Sequence, residues 1–211
     1  NWGAIPSKTL RESALFVYGL TQAKLDAMRC ELDDEISIGD FMHRKRVVVQ
    51  SELDLMQRSL GKYGVELVRG HGRFVDPHTV RVEAPDGGVR QLRGEIVVIA
   101  TGTCPNRPAD VPFDDETVFD SGTILQLPRM PRSMTVLGAG VIGVEYASIF
   151  AALGLAVNLV DTRDQLLPCL DREIAAVLRL ELERLGITFV RGATYRRIER
   201  VPGTPPRVRC E

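Results

Sequence analysis

The hexapeptide Gly138-Ala139-Gly140-Val141-Ile142-Gly143 has the spacing G-x-G-x-x-G, and Asp161 follows roughly 20 residues later. Together they supply what a dinucleotide needs. Gly138 makes a tight turn, Gly140 lets the backbone approach a pyrophosphate, and Gly143 lets a helix pack closely on the strand before it. Ala139, Val141 and Ile142 complete the motif, and the helix N-terminus there supplies unpaired N–H groups and a positive dipole end to the phosphates. Asp161 can accept a hydrogen bond from a ribose 2′-hydroxyl and would repel a 2′-phosphate, which favours NAD over NADP. Arg163 offers the opposite preference, because a guanidinium can grip a 2′-phosphate through two hydrogen bonds. It is equally suited to be a surface residue paired with Asp161 or Asp164, and the residues alone leave both readings open.

For this chemistry to work, a strand must deliver the glycines and a second strand must deliver Asp161. The sequence predicts that βαβ unit: an apolar strand over 134–137, a helix over 141–153 and a strand over 156–160. A further helix over 171–185, with Asp171 as N-cap and Gly186 as its stop, leads into a strand over 187–190. Upstream, Pro6 suits the first turn of a helix, and the apolar spacing over 39–60 predicts a long amphipathic helix. Short β-type runs at 65–68, 79–84 and 89–92, with a turn at 85–88, predict a small antiparallel meander. The unbroken apolar run 96–100 predicts a strand covered on both faces that ends in the turn Thr101-Gly102-Thr103. Prolines recur between Pro105 and Pro131, which places the connection between two domains there.

The fold class expected is α/β, with two Rossmann-like dinucleotide-binding domains, both incomplete, the first bearing the meander. The opening at Asn1 without a methionine and a last strand that reads as unfinished at Glu211 suggest an internal piece of a longer protein. With 27 basic and 28 acidic residues the net charge is −1, which gives no general reason to expect nucleic acid or an anionic membrane as partner. The apolar runs are strand-sized, far short of the roughly 20 residues of a membrane span. The His43-Arg44-Lys45-Arg46 run reads as a solvated helix face. Cys30, Cys104, Cys169 and Cys210 form no C-x-x-C pair, and His43, His71 and His78 lack metal spacing. The cysteines are read as reduced thiols of a cytoplasmic protein.

Three motifs then occur in register: Asn1-Trp2-Gly3-Ala4-Ile5-Pro6-Ser7-Lys8, Ile99-Ala100-Thr101-Gly102-Thr103 with Pro105, and the glycine hexapeptide continued by Val144-Glu145. In order and spacing they resemble the pyridine nucleotide-disulfide oxidoreductase superfamily over essentially the whole chain. The resemblance implies an FAD domain interrupted by an NAD(P) domain, so that residues 1–116 are part of the first and 117–211 part of the second. It also implies a homodimer formed through a C-terminal domain outside this chain.

Dithiol members of that superfamily carry a cysteine immediately before Ile-Pro-Ser-Lys, where this sequence has Ala4. An alanine cannot join a disulfide or present a thiolate to the flavin, so thiol–disulfide exchange is lost. The segments Phe74-Val75-Asp76-Pro77-His78-Thr79, Tyr146-Ala147-Ser148-Ile149-Phe150 and Thr162-Arg163-Asp164-Gln165-Leu166-Leu167 resemble the soluble pyridine nucleotide transhydrogenase branch. That branch implies hydride transfer from NADPH through FAD to NAD, with both nucleotides admitted to one site. By the same resemblance Lys8 stands beside the flavin and pairs with Glu145 near the nicotinamide, so the two should lie within ion-pairing distance. Gly72 contacts the adenine side of FAD, and Thr101, Gly102 and Thr103 close over the flavin nucleotide. The residues 1–211 alone are expected to be inactive. Two other readings stand beside this one: an NAD(P)H oxidase or diaphorase related to dihydrolipoamide dehydrogenase or mercuric reductase, and a non-catalytic NAD(H)-binding module.

Overall fold

The computed structural model describes residues 3–25, 38–203 and 205–211. Cys30 lies outside the described residues. The chain divides into two compact units, residues 1–50 with 105–211, and residues 51–104.

In the first unit, helix α1 (Ala4–Leu25) begins two residues before Pro6, which sits in the first turn where a missing N–H costs no hydrogen bond. Leu10 and Ala14, spaced by four, are almost fully buried, and Tyr18 continues the same face. That face packs on helix α3 (Val141–Ala152), which is apolar nearly all round, with Val144, Ala147, Ile149, Phe150 and Ala151 buried. A helix of that composition belongs in an interior. Its other side lies on a parallel sheet of β4 (Ser133–Leu137), β5 (Ala156–Val160) and β6 (Ile187–Val190), in the order β4-β5-β6. Register runs from Ser133 opposite Ala156 to Leu137 opposite Val160, so the ends that carry Gly138 and Asp161 finish level with each other.

Helix α4 (Arg172–Arg184) precedes β6. The Asp171 carboxylate accepts from the N–H groups of Glu173 and Ile174 at 2.8 and 3.4 Å, the N-cap its position implies. A short 3-10 helix (Thr123–Gln126) buries Ile124 and Leu125 in the same core. Strands β7 (Ile198–Val201) and β8 (Arg207–Cys210) form an antiparallel hairpin. The sequence announced only its second strand, because β7 is four residues long with Arg200 on one face and Glu199 on the other, which leaves almost no periodic signal.

Helix α2 (Ile38–Lys62) buries Phe41 and Met42, whereas Val47, Leu55 and Met56 are about half exposed. The amphipathic pattern is present, with Leu53 and Leu60 half-buried on its later turns. Of the basic run, His43, Arg44 and Arg46 are exposed, as a solvated face requires. Lys45 departs from that expectation: it is half-buried, and its ammonium donates to the Leu125 carbonyl at 2.6 Å. Burial, and next to it Arg46, pull the Lys45 pKa below the usual lysine value.

In the second unit the meander is β1 (His71–Asp76), β2 (Thr79–Glu83) and β3 (Val89–Arg93), antiparallel throughout. Two expectations are corrected here. Residues 65–68 join no ladder, and the first strand lies at His71–Asp76, where all six residues are exposed. That strand is held by its hydrogen-bond ladder and by the Asp76 carboxylate, which accepts from the His78 N–H at 2.8 Å, so burial periodicity missed it. The run 96–100 is not a covered strand either: Ile96, Val98 and Ile99 are 86%, 80% and 72% exposed. An apolar run records a demand for burial, and a sheet forms only where partner strands meet it. None pairs with it among the described residues.

Candidate nucleotide site

Strand β4 ends at Leu137, and Gly138 turns the chain with φ +102°, a left-handed conformation that side chains resist. Its N–H donates to the Val160 carbonyl at 2.8 Å, tying the turn to the end of β5. Gly140 is the N-cap of α3 and offers no side chain to bond the first-turn N–H groups, and no carboxylate stands in that first turn. Val141 and Ile142 are exposed, so these donors face an open mouth. The three glycines differ in the way their proposed tasks require. A Cβ on Gly143 would lie 1.9 Å from the Gly138 carbonyl oxygen, which no packing adjustment of a side chain relieves. A Cβ on Gly140 would meet no atom within 4 Å, so the space over that residue is free for a ligand. Uncapped N–H groups, free space and close helix packing together fit the pyrophosphate of a dinucleotide.

Asp161 follows β5 with its side chain 4% exposed. Its Oδ2 accepts from the Ala139 N–H at 2.6 Å and from Arg163 Nη2 at 2.8 Å. Its Oδ1 accepts from the N–H and the Nε of Arg163, both at 2.8 Å. The Arg163 guanidinium above all, with the N–H groups of Arg163 and Ala139, holds the Asp161 pKa well below the usual carboxylate range, although burial pushes the other way. Arg163 thus makes the ion pair that one reading of the sequence anticipated, with its side chain about half exposed. The loop beneath it is anchored by Leu166 and Leu167, both buried, the latter in the left-handed region at φ +46°.

On the other flank of α3, the Lys8 ammonium lies 2.8 Å from Glu145 Oε1 across 137 positions of sequence, meeting the expected ion-pairing distance. Glu145 Oε2 accepts from the hydroxyl of Ser7, a buried residue, at 3.2 Å. Ser7 was missed as a site residue, and its signal lay in its place beside Lys8 on the first turns of α1. The pair is asymmetric in exposure, Lys8 at 65% and Glu145 at 18%, so the carboxylate is fixed and the ammonium faces outward. In the second unit Gly72 lies within β1, and Thr101, Gly102 and Thr103 lie in an exposed irregular segment, with Gly102 at φ +71°.

The model of the family described as pyridine nucleotide-disulphide oxidoreductase matches residues 1–208. The chain belongs to that family.

Among oxidoreductases of this family, the chain is 45% identical over 192 residues to a soluble pyridine nucleotide transhydrogenase of Mycobacterium tuberculosis, covering 90% of this chain and 41% of the relative. A soluble pyridine nucleotide transhydrogenase of Colwellia psychrerythraea is 36% identical over 199 residues, which are 94% of this chain and 42% of that one. The chain therefore spans about two fifths of the length of these curated relatives. Among solved structures it is similar to the HOCl-induced flavoprotein disulfide reductase RclA from Escherichia coli, with a TM-score of 0.79 at 27% identity, covering 100% of this chain and 43% of that one. LpdA from Mycobacterium tuberculosis gives a TM-score of 0.86 at 23% identity, over 99% of this chain and 47% of that one, which shows a shared fold. The α/β class with a meander and a parallel sheet is thus the architecture of the family. Where dithiol members of the superfamily place a cysteine, this chain has Ala4, exposed at the start of α1. Among the described residues Cys104, Cys169 and Cys210 are all exposed and unpaired. No helix among the described residues is long and apolar enough to cross a membrane.

Proposed function

We propose that this chain is part of an FAD enzyme that passes hydride from NADPH to NAD, a soluble pyridine nucleotide transhydrogenase. The observation that carries the reading is the pairing of Asp161 with Arg163 beside the glycine turn: one loop holds an acceptor for a ribose hydroxyl and a donor for a 2′-phosphate. An enzyme that must take both NAD and NADP at one site has a use for both groups.

Residues 117–211 are the NAD(P) portion in this reading and residues 1–116 the FAD portion. Gly140, Val141, Ile142 and Gly143 bind the pyrophosphate through backbone N–H groups, Gly138 and Ala139 shape the turn beneath it with their own N–H groups held by Val160 and Asp161, and Asp161 and Arg163 read the ribose. Lys8, Gly72, Thr101, Gly102 and Thr103 serve the flavin. Bound FAD would supply the two-electron carrier that lets one nucleotide reduce it and the other reoxidise it. Lys8 holds a positive charge where reduction adds negative charge, and Glu145, braced by Ser7, fixes that ammonium near the nicotinamide. The complete protein acts as a cytoplasmic homodimer.

Ala4 supports a route without a redox dithiol, and the same residue suits an NAD(P)H oxidase or diaphorase. The full-length protein, assayed without oxygen, separates the two. Transfer from NADPH to the 3-acetylpyridine analogue of NAD is expected at a rate that air does not raise. NADPH consumption that stops when oxygen and quinones are removed would replace this reading with the oxidase.

A further inference from the structure

A carboxylate offers about four acceptor positions, and in Asp161 all four are filled. Two of the donors, the N–H groups of Ala139 and Arg163, belong to the backbone of the glycine turn and the ribose loop, and releasing them would unwind both. The other two, Nε and Nη2 of Arg163, sit on a half-exposed side chain that can rotate into solvent. The loop backbone is pinned by buried Leu166 and Leu167, so the guanidinium can leave without the loop moving.

We infer that Arg163 is an internal competitor for the ribose seat: it holds the two positions on Asp161 that a ribose hydroxyl must take, so nucleotide binding is an exchange. Building on the assignment of Asp161 and Arg163 to the ribose, the inference gives the two nucleotides different terms. An unphosphorylated ribose must displace the guanidinium and returns nothing to it. A 2′-phosphate draws the same guanidinium away from Asp161 and replaces the lost ion pair with another of the same geometry. The residue therefore penalises NAD(H) and recruits NADP(H), which brings the affinities of one site for two nucleotides together. A guanidinium that merely brace the loop would do neither, and its removal would loosen the seat for both.

The test uses nucleotide fragments that lack nicotinamide, ADP-ribose and 2′-phospho-ADP-ribose, titrated calorimetrically into the full-length flavoprotein. In Arg163→Ala, ADP-ribose should bind about two- to fivefold more tightly, the range expected for releasing a partly exposed ion pair, while 2′-phospho-ADP-ribose should weaken by about tenfold or more. Arg163→Lys keeps the cation but cannot form the fork, and should move both affinities in the same directions by less. Unchanged or weakened ADP-ribose binding in either variant overturns the inference. Neither probe carries hydride, so the outcome is separable from the proposed reaction: a wild-type enzyme that fails to reduce NAD ends the functional proposal and leaves these affinities to decide the role of Arg163.

Discussion

Gly140 and Gly143 stand on one turn of α3 and are required for different reasons, so alanine at each should fail differently. At Gly143 the added methyl would overlap the Gly138 carbonyl, and the helix must shift from the sheet. Gly143→Ala should therefore lower stability by about 1–3 kcal/mol, the range for overpacking a tight interior, which a shifted thermal melt would reveal. At Gly140 the methyl enters open space. Gly140→Ala should leave the melt nearly unchanged while weakening ADP-ribose binding, and a variant that melts early but binds normally would contradict the assignment. Asp161 makes a prediction about pH. Its pKa is depressed in the folded protein, so its contribution to stability is full above the ordinary carboxylate pKa of about 4 and is lost as pH falls toward the folded value. The difference in melting temperature between wild type and Asp161→Asn should be constant from about pH 5 to pH 8 and shrink at lower pH. A difference that grows on acidification would contradict the account. At this scale much of the candidate site was legible: the hexapeptide and Asp161 came from residue types and spacing, whereas Lys8 with Glu145 came only from the family resemblance. What Arg163 does in the folded chain was not, since a guanidinium two residues from a carboxylate can face it or turn away, and only the loop geometry decides.

Among the elements, the βαβ unit and α4 were readable because several signals agree there: apolar runs of the right length, a glycine turn, an N-cap and a glycine stop. The N-cap is testable. Asp171→Ala removes the acceptor for two N–H groups and should destabilise the protein by about 1 kcal/mol, measured as a lowered thermal midpoint. Asp171→Asn should restore most of it, because an amide oxygen can still accept. The elements that misled are those whose formation depends on neighbours. Residues 65–68 and 96–100 have the composition of buried strands and join no ladder, whereas β1 is fully exposed and is organised by pairing with β2 and by the turn at Asp76. Apolar periodicity reports where a face would be buried, and it is silent about which backbone supplies the partner. The first strand of the hairpin, β7, escaped for the converse reason, being short and carrying charge on both sides.

At the scale of the whole molecule, the first unit brings together residues from distant parts of the chain on two sides of one helix. The N-terminus of α3 faces the glycine turn and, through Ala139, the Asp161 and Arg163 pair, while Glu145 on the same helix holds Lys8 of α1. In the proposed enzyme this helix would connect the nucleotide end of the reaction with the flavin end, which is why both nucleotides must use the same turn and the same flavin. That claim is tested most directly by anaerobic stopped-flow spectroscopy on the full-length flavoprotein, following the flavin band during reduction by NADPH, reduction by NADH and reoxidation by NAD. The account predicts rapid reduction by each nucleotide and rapid reoxidation by NAD. Reduction by one nucleotide alone, with reoxidation only after oxygen or a quinone is added, would contradict it.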